Sequence, residues 1–267
     1  MTNLLNEKVA AITGAGSGVG RAAALQFARN GARVVAADVN LASVEETVAL
    51  VRKEGGQAMA VVCDVADEQS VDAMVAATVK AFGRLDIIYN NAGITVPPLP
   101  DRSGMRRLID TGTDQIDRVT AVNVRGVLNG CKAAIRQFEA QGGGGVIVNT
   151  ASVAGLIGYG GVAYGATKGA VVNLTRTLAI EVAPLNIRVN SVCPAGMLTH
   201  YSGMDPDSPN KDKILESMGK AHPLGRAIDP IDTANAAMFL ASDLAGNITG
   251  VNLPVDGGLS AGHSLRR

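Results

Sequence analysis

The chain has 267 residues, enough for one open α/β core and short for two, with 24 basic and 24 acidic residues, 3% aromatics and no tryptophan. That balance provides neither a basic phosphate-tracking face nor a base-stacking platform, which argues against nucleic acid as a partner. No apolar run approaches the roughly 20 residues that span a bilayer, and the opening MTNLLNEKVAAITG has no basic stretch leading into a long apolar one, so the expectation is a soluble, cytoplasmic protein without a membrane partner.

Short β-branched runs recur at 9–12, 33–37, 58–63, 86–89, 146–149, 188–192 and 251–255. They are continuous rather than alternating, as strands buried on both faces are. Between them, apolar residues at helical spacing predict helices near Val19 and over 41–54, 67–82, 116–138, 165–182 and 231–240. Alternating β and α elements predict a single Rossmann-type domain, a doubly wound parallel sheet of about seven strands with helices on both faces. Residues 142–145 form a glycine run that reads as a permissive turn. Two segments break the alternation. Residues 94–113 hold Pro97, Pro98, Pro100, Gly104 and Gly112, with a short helical turn expected at 105–109; residues 197–228 hold Gly203, Pro206, Pro209, Gly219 and Pro223 around a short helix at 211–220. Both follow strand carboxyl ends, where open α/β sheets bind ligands, and both are candidate substrate walls or plain surface loops.

The first strand runs into TGAGSGVG, in which Gly14, Gly18 and Gly20 are spaced G-x-x-x-G-x-G, with Ser17 and Val19 between them. Glycines there allow a tight turn and close backbone approach, and the helix N-terminus offers unpaired N–H groups to a pyrophosphate. Asp38 ends the second strand, where a carboxylate can accept hydrogen bonds from the adenosine ribose hydroxyls, or can serve with Asn40 as a helix cap. An acid there repels a ribose phosphate, and neither Ser17 nor Val39 supplies a cation for one, so NAD is expected over NADP. Asp64 and Val65 after the third strand are candidates for the adenine site. Asn91, Ala92 and Gly93, after Asn90 on the fourth, suit a close passage along the cofactor, or ordinary turns.

Tyr164 and Lys168 stand four apart, so a helix brings the ammonium beside the phenol, and a neighbouring cation is expected to lower the phenol's pKa. Tyr89, Tyr159 and Tyr201 have no lysine at that offset. Ser152 lies upstream, with Thr150 as a competing hydroxyl. Val96, Ala154, Leu156, Tyr159, Met197, Tyr201 and Met204 read either as an apolar pocket for a small uncharged alcohol or ketone or as core packing. Cys63, Cys131 and Cys193 are widely spaced in apolar contexts and read as buried thiols; His200, His222 and His263 lack metal-ligand spacing, and no metal is expected.

Taken together, the glycine turn at 13–20, Asp64-Val65, Asn90 to Gly93, Asn123 in VNVRG, Ser152, Tyr164-x-x-x-Lys168, Asn190-Ser-Val-Cys-Pro194 and the tail ASDLAGNITGVNLPVDGG resemble the classical short-chain dehydrogenase/reductase family over nearly the whole chain. The resemblance implies an NAD-dependent oxidoreductase interconverting a secondary alcohol and a ketone through a tetrad of Asn123, Ser152, Tyr164 and Lys168. In it Tyr164 exchanges the proton, Ser152 orients the substrate oxygen, Lys168 tunes the tyrosine and holds the nicotinamide ribose, and Asn123 keeps a water in place. It also implies cofactor contacts from Pro194, Met197 and Thr199, where the usual Pro-Gly reads Pro194-Ala195-Gly196, and a homotetramer built on helices 116–138 and 165–182 with the C-terminal region. Two other functions share the fold: an NAD-binding regulator without turnover, which would not need the tetrad, and an NAD-retaining epimerase or dehydratase, whose glycine spacing differs.

Overall fold

The computed structural model describes residues 3–97, 106–202 and 204–262. Seven strands, β1 (Val9–Thr13), β2 (Arg33–Asp38), β3 (Gln57–Val62), β4 (Ile87–Asn90), β5 (Gly145–Thr150), β6 (Ile187–Pro194) and β7 (Asn252–Val255), form one sheet in the order β3-β2-β1-β4-β5-β6-β7. Every pairing is parallel. The strand order reverses between β1 and β4, which opens a crevice at their carboxyl ends.

Helices α1 (Gly18–Arg29), α2 (Leu41–Lys53) and α8 (Pro230–Ala241) cover one face of the sheet; α3 (Glu68–Phe82), α5 (Gly126–Gln141) and α6 (Val162–Val182) cover the other. Because strand side chains alternate sides, Ala10 and Ile12 of β1 enter the first layer while Ala11 enters the second. This double burial explains why the strand sequences are continuously apolar. The edge strand β3 is less enclosed, with Val62 54% exposed, because it has a neighbouring strand on one side alone. Asp67 caps α3, Asn40 caps α2, and Asp229 caps α8 with Pro230 at its first position.

The expected helix over 116–138 is not one helix. It consists of α4 (Thr113–Thr120), a π-helical turn (Ala121–Arg125) and α5. The buried Asn123 lies within the π turn, where its amide bonds the backbone of Ile94, and sequence periodicity has no signature for that insertion. The short helix expected at 211–220 is α7 (Lys211–Gly219). Pro98, Pro100, Gly104, Met105 and Gly203 of the candidate walls lie outside the described residues; of the turn expected at 105–109, the described part is a 3₁₀ turn, Leu108–Asp110.

Gly130 marks where α5 presses on the sheet: a Cβ there would run into the Asn90 Oδ1. Asn90 cannot yield easily, since its Nδ2 donates to Asn149 Oδ1 at 3.0 Å. An interior helical Gly→Ala change ordinarily stabilises by roughly 0.5–1 kcal/mol. Gly130→Ala is expected instead to destabilise by about 1–3 kcal/mol through overpacking. Urea unfolding checks this, and equal or greater stability would overturn the packing argument.

Candidate active site

A cleft of about 530 Å³ opens at the carboxyl ends of the central strands. Its near end is the turn after β1. A Cβ on Gly20 would collide with the Gly14 carbonyl oxygen, so the turn closes only with glycine there. Ser17 occupies the N-cap position of α1 but its side chain accepts no capping hydrogen bond, and the first turn carries no acid. The helix therefore presents uncapped N–H groups and its positive end beside Ser17, Gly18 and Val19, all of which line the cleft. Arg21 holds the turn from behind, donating to the Gly16 carbonyl at 2.6 Å and to Thr47 Oγ1 at 3.0 Å, while Thr47 donates to the Ala15 carbonyl.

Asp38 lines the same end. Its Oδ2 accepts from the Gly16 N–H at 3.0 Å and its Oδ1 from Asn40 N–H at 3.1 Å, so the carboxylate is fixed in orientation with lone pairs to spare. Asn40, not Asp38, caps α2, accepting from Ser43 N–H. Asn91, Ala92 and Gly93 form the floor. Thr13 Oγ1 accepts from the N–H groups of both Asn91 and Ala92 at 3.1 Å, stitching β4 to the glycine turn.

In the middle of the cleft, Ser152, Tyr164 and Lys168 converge. Ser152 begins a 3₁₀ turn after β5; its hydroxyl accepts from Ala154 N–H and donates to the Pro194 carbonyl. Tyr164 lies in the first turn of α6, lines the cleft with Ser152, and its ring meets that of Tyr201 edge-on with centroids 6.3 Å apart. The Lys168 ammonium, one helical turn on, donates to the Thr150 carbonyl at 2.8 Å and sits 5.7 Å from the Tyr164 ring centroid. Thr150's own hydroxyl turns away, donating to Tyr89 Oη and Asn91 Oδ1, so Ser152 rather than Thr150 meets the phenol.

The expected lowering of the Tyr164 pKa is corrected here. Burial pushes the phenol above its ordinary value, and the neighbouring hydroxyls of Tyr201 and Ser152 only partly oppose it. Burial also brings Lys168, 2% exposed, down to about 8. Desolvation is the largest cause of both shifts.

Other residues stand apart from the cleft lining. Asn123 is fully buried; its amide is taken up by Ile94 N–H, the Ile94 carbonyl and Thr167 Oγ1, so it braces the Gly93-Ile94 strand exit. Asp64 forms a turn with the Ala66 N–H, Val65 packs under Gly126, and Gly20 is buried in α1. None of these four lines the cleft. Pro194, Met197 and Thr199 do, with Val96, Tyr159 and Tyr201 from the expected substrate set. Ala154 sits beneath Gly160, Leu156 packs on the core and Met204 is off the lining. Arg106 lines the far wall unforeseen: it donates to the Asp110 carbonyl while Arg107 takes the Asp110 carboxylate, and its buried Nε has no acceptor among the described residues. Only a run of helix breakers precedes it in sequence, so no periodic signal marked it.

An uncapped helix end, a carboxylate fixed in orientation and a serine–tyrosine–lysine cluster share one crevice at the switch point of a parallel sheet, the place where doubly wound α/β proteins bind their ligands. The comparisons narrow that class. A family model described as enoyl-(acyl carrier protein) reductase matches residues 14–260. The chain is 40% identical to 2,5-dichloro-2,5-cyclohexadiene-1,4-diol dehydrogenase of Sphingobium indicum, covering 98% of this chain and 100% of the relative. It is 40% identical to meso-2,3-butanediol dehydrogenase of Serratia marcescens, covering 96% of each. Among solved structures, 3-ketoacyl-(acyl-carrier-protein) reductase of Brucella melitensis complexed with NADH superposes with a TM-score of 0.83 at 39% identity, over 96% of this chain and 99% of that one. The chain belongs to the short-chain dehydrogenase/reductase family of oxidoreductases.

The lowered lysine has a thermodynamic signature. Between about pH 8 and its unfolded value of 10.5, the unfolded chain binds more protons at Lys168 than the folded chain, so stability rises with pH across that window. Relative to Lys168→Met, the wild type is expected to gain up to about 3 kcal/mol over it. Parallel pH–stability curves for the two proteins would contradict the buried, depressed lysine.

Proposed function

We propose that the chain is an NAD-dependent dehydrogenase that interconverts a small uncharged secondary alcohol and the corresponding ketone, with Tyr164 carrying the proton. The observation that carries this reading is the convergence of Ser152, Tyr164 and Lys168 in the cleft that begins at the uncapped end of α1. When bound, the nicotinamide cofactor supplies the hydride exchange. The residues fit it: the α1 N–H groups would receive its pyrophosphate and Asp38 its adenosine ribose, and the fixed carboxylate disfavours a ribose phosphate. The relative solved with NADH and the relatives named for diols support the same choice of cofactor and substrate type.

Each residue then has a physical task. Ser152 orients the substrate oxygen and donates a hydrogen bond to it as charge develops. Tyr164, with its pKa raised, holds its proton at neutral pH and is ready to give it to a ketone; alcohol oxidation needs the phenolate and should quicken as pH rises. Lys168, pinned by the Thr150 carbonyl in the cleft lining, would hydrogen-bond the cofactor's nicotinamide ribose. Asn123 acts at a distance, by holding the Ile94 backbone. A homotetramer, with α5 and α6 in its interfaces, belongs to the same reading; Leu128 and Ile180 leave apolar surface exposed on those helices.

Tyr164→Phe is expected to lower turnover by about 10²–10⁴-fold while NAD binding, followed by fluorescence titration, is retained. Normal turnover in that variant would refute the role. A substrate panel with NAD and NADP tests the remainder: activity with NADP alone would overturn the role of Asp38. Activity confined to charged hydroxy acids would overturn the uncharged substrate and turn attention to Arg106. In light scattering the 27.3 kDa chain is expected to assemble as a tetramer, and a monomer would remove that part of the reading.

A further inference from the structure

One hydroxyl behind the cleft ties the helix of Tyr164 to the cleft floor. Thr167 stands between Tyr164 and Lys168 in α6 and is 5% exposed. Its hydroxyl donates to the Tyr164 carbonyl at 2.7 Å and accepts from the Asn123 amide at 3.1 Å. Both directions are determined. Asn123 Oδ1 takes the Ile94 N–H at 2.8 Å, so Nδ2 is the end that faces Thr167, and the single hydroxyl proton is left for the carbonyl. The bonds thus run from the β4 exit through the π turn into α6. A Cβ on Gly93 would stand 3.3 Å from Asn123 Oδ1 and 3.5 Å from Lys168 Nζ, so the floor meets both groups at that point.

The end of α6 that carries the phenol has little else to hold it. Gly160 and Gly161 precede it with φ of +77° and +86°, Gly161 at the N-cap has no side chain to bond, and the first turn holds no acid. First-turn N–H groups lack intrahelical partners, and helix ends open at lower cost than helix centres. Lys168, one turn deeper, has its own anchor in the Thr150 carbonyl. Among the described residues, Thr167 makes the one side-chain hydrogen bond to the Tyr164 backbone. Threonines often bond back to their own helix, and exposed Thr177 does so at 3.2 Å to the Asn173 and Leu174 carbonyls. Thr167 differs because a fully buried amide from another element holds its oxygen in turn.

We propose that Thr167 is a positioning residue: it passes the hold of Asn123 on to the Tyr164 backbone and so fixes where the phenol hydroxyl stands over the cleft floor. Thr167 does not line the cleft, so it acts only through Tyr164. The proposal rests on Tyr164 as the proton carrier and deepens that reading. It also divides the labour on one helix. The Thr167 hydroxyl serves proton transfer, while cofactor binding draws on Lys168 and its separate anchor at Thr150.

The test measures kcat with NAD and the fastest of cyclohexanol, cyclopentanol and isopropanol, beside NAD affinity by fluorescence titration. Thr167→Val, which keeps the shape and removes the hydroxyl, is expected to lower kcat by about ten- to a hundredfold with NAD affinity nearly unchanged, as a small misplacement of a reacting group does. Thr167→Ser, which keeps the hydroxyl, is expected to retain most of the wild-type rate, and Thr177→Val to retain all of it. Thr167→Ala carries the same expectation as the valine variant and replaces it if valine does not fold. Wild-type kcat without the hydroxyl, a serine variant as slow as valine, an equal loss in Thr177→Val, or a loss of NAD affinity matching that of kcat would each overturn the proposal while leaving the dehydrogenase reading intact. Normal turnover in Tyr164→Phe, or no turnover of any of the three alcohols by the wild type, would overturn that reading and this one with it.

Discussion

Parallel strands that diverge leave backbone groups unpaired at their carboxyl ends, and the way this chain satisfies them at the β1/β4 divide determines the rest of the site. Thr13 closes β1 and answers two N–H groups of the Asn91-Ala92 exit with one hydroxyl. Asn91 returns its amide to the Thr13 carbonyl at 3.0 Å. The glycine turn and the β4 exit thus form one floor, and the residues on it inherit their positions from this exchange. Buried backbone groups must find partners; here the partners they find also hold the crevice open.

The second layer of the site is set by dryness. Lys168 hangs from a carbonyl of β5, Ser152 bridges the β5 exit to the Pro194 carbonyl of β6, and Tyr164 lines the cleft with Ser152 and meets the ring of Tyr201. Burial pushes the lysine down and the phenol up, so each holds its neutral form more readily than in water. A cation beside a phenol in solution would have the opposite effect on the tyrosine. The helix spacing alone therefore brings the pair together without deciding their acidities.

Behind these layers lies a polar seam that packs like core. Asn90, Asn149 and Thr175 pass hydrogen bonds across β4, β5 and α6, and Gly130 admits Asn90 under α5. Asn123, in its π turn, performs the same service for Ile94. These amides are fully or nearly fully buried and matched, which specifies one arrangement of helices over the sheet.

What the sequence determined by itself was local and periodic: the seven strands, the parallel sheet with both faces buried, the glycine turn before α1, the acid ending β2 and the tyrosine and lysine on one helix face. Each rests on short-range geometry, where spacing along the chain equals proximity in space. The tertiary structure decided what depends on distant contacts. It split the helix around Asn123, set Asp64 and Val65 aside from the cleft, brought Arg106 into its wall, turned Thr150 away from the phenol, and carried the ring of Tyr201 thirty-seven residues back onto that of Tyr164. It also reversed the expected shift of Tyr164, because a pKa answers to the water that surrounding chain removes.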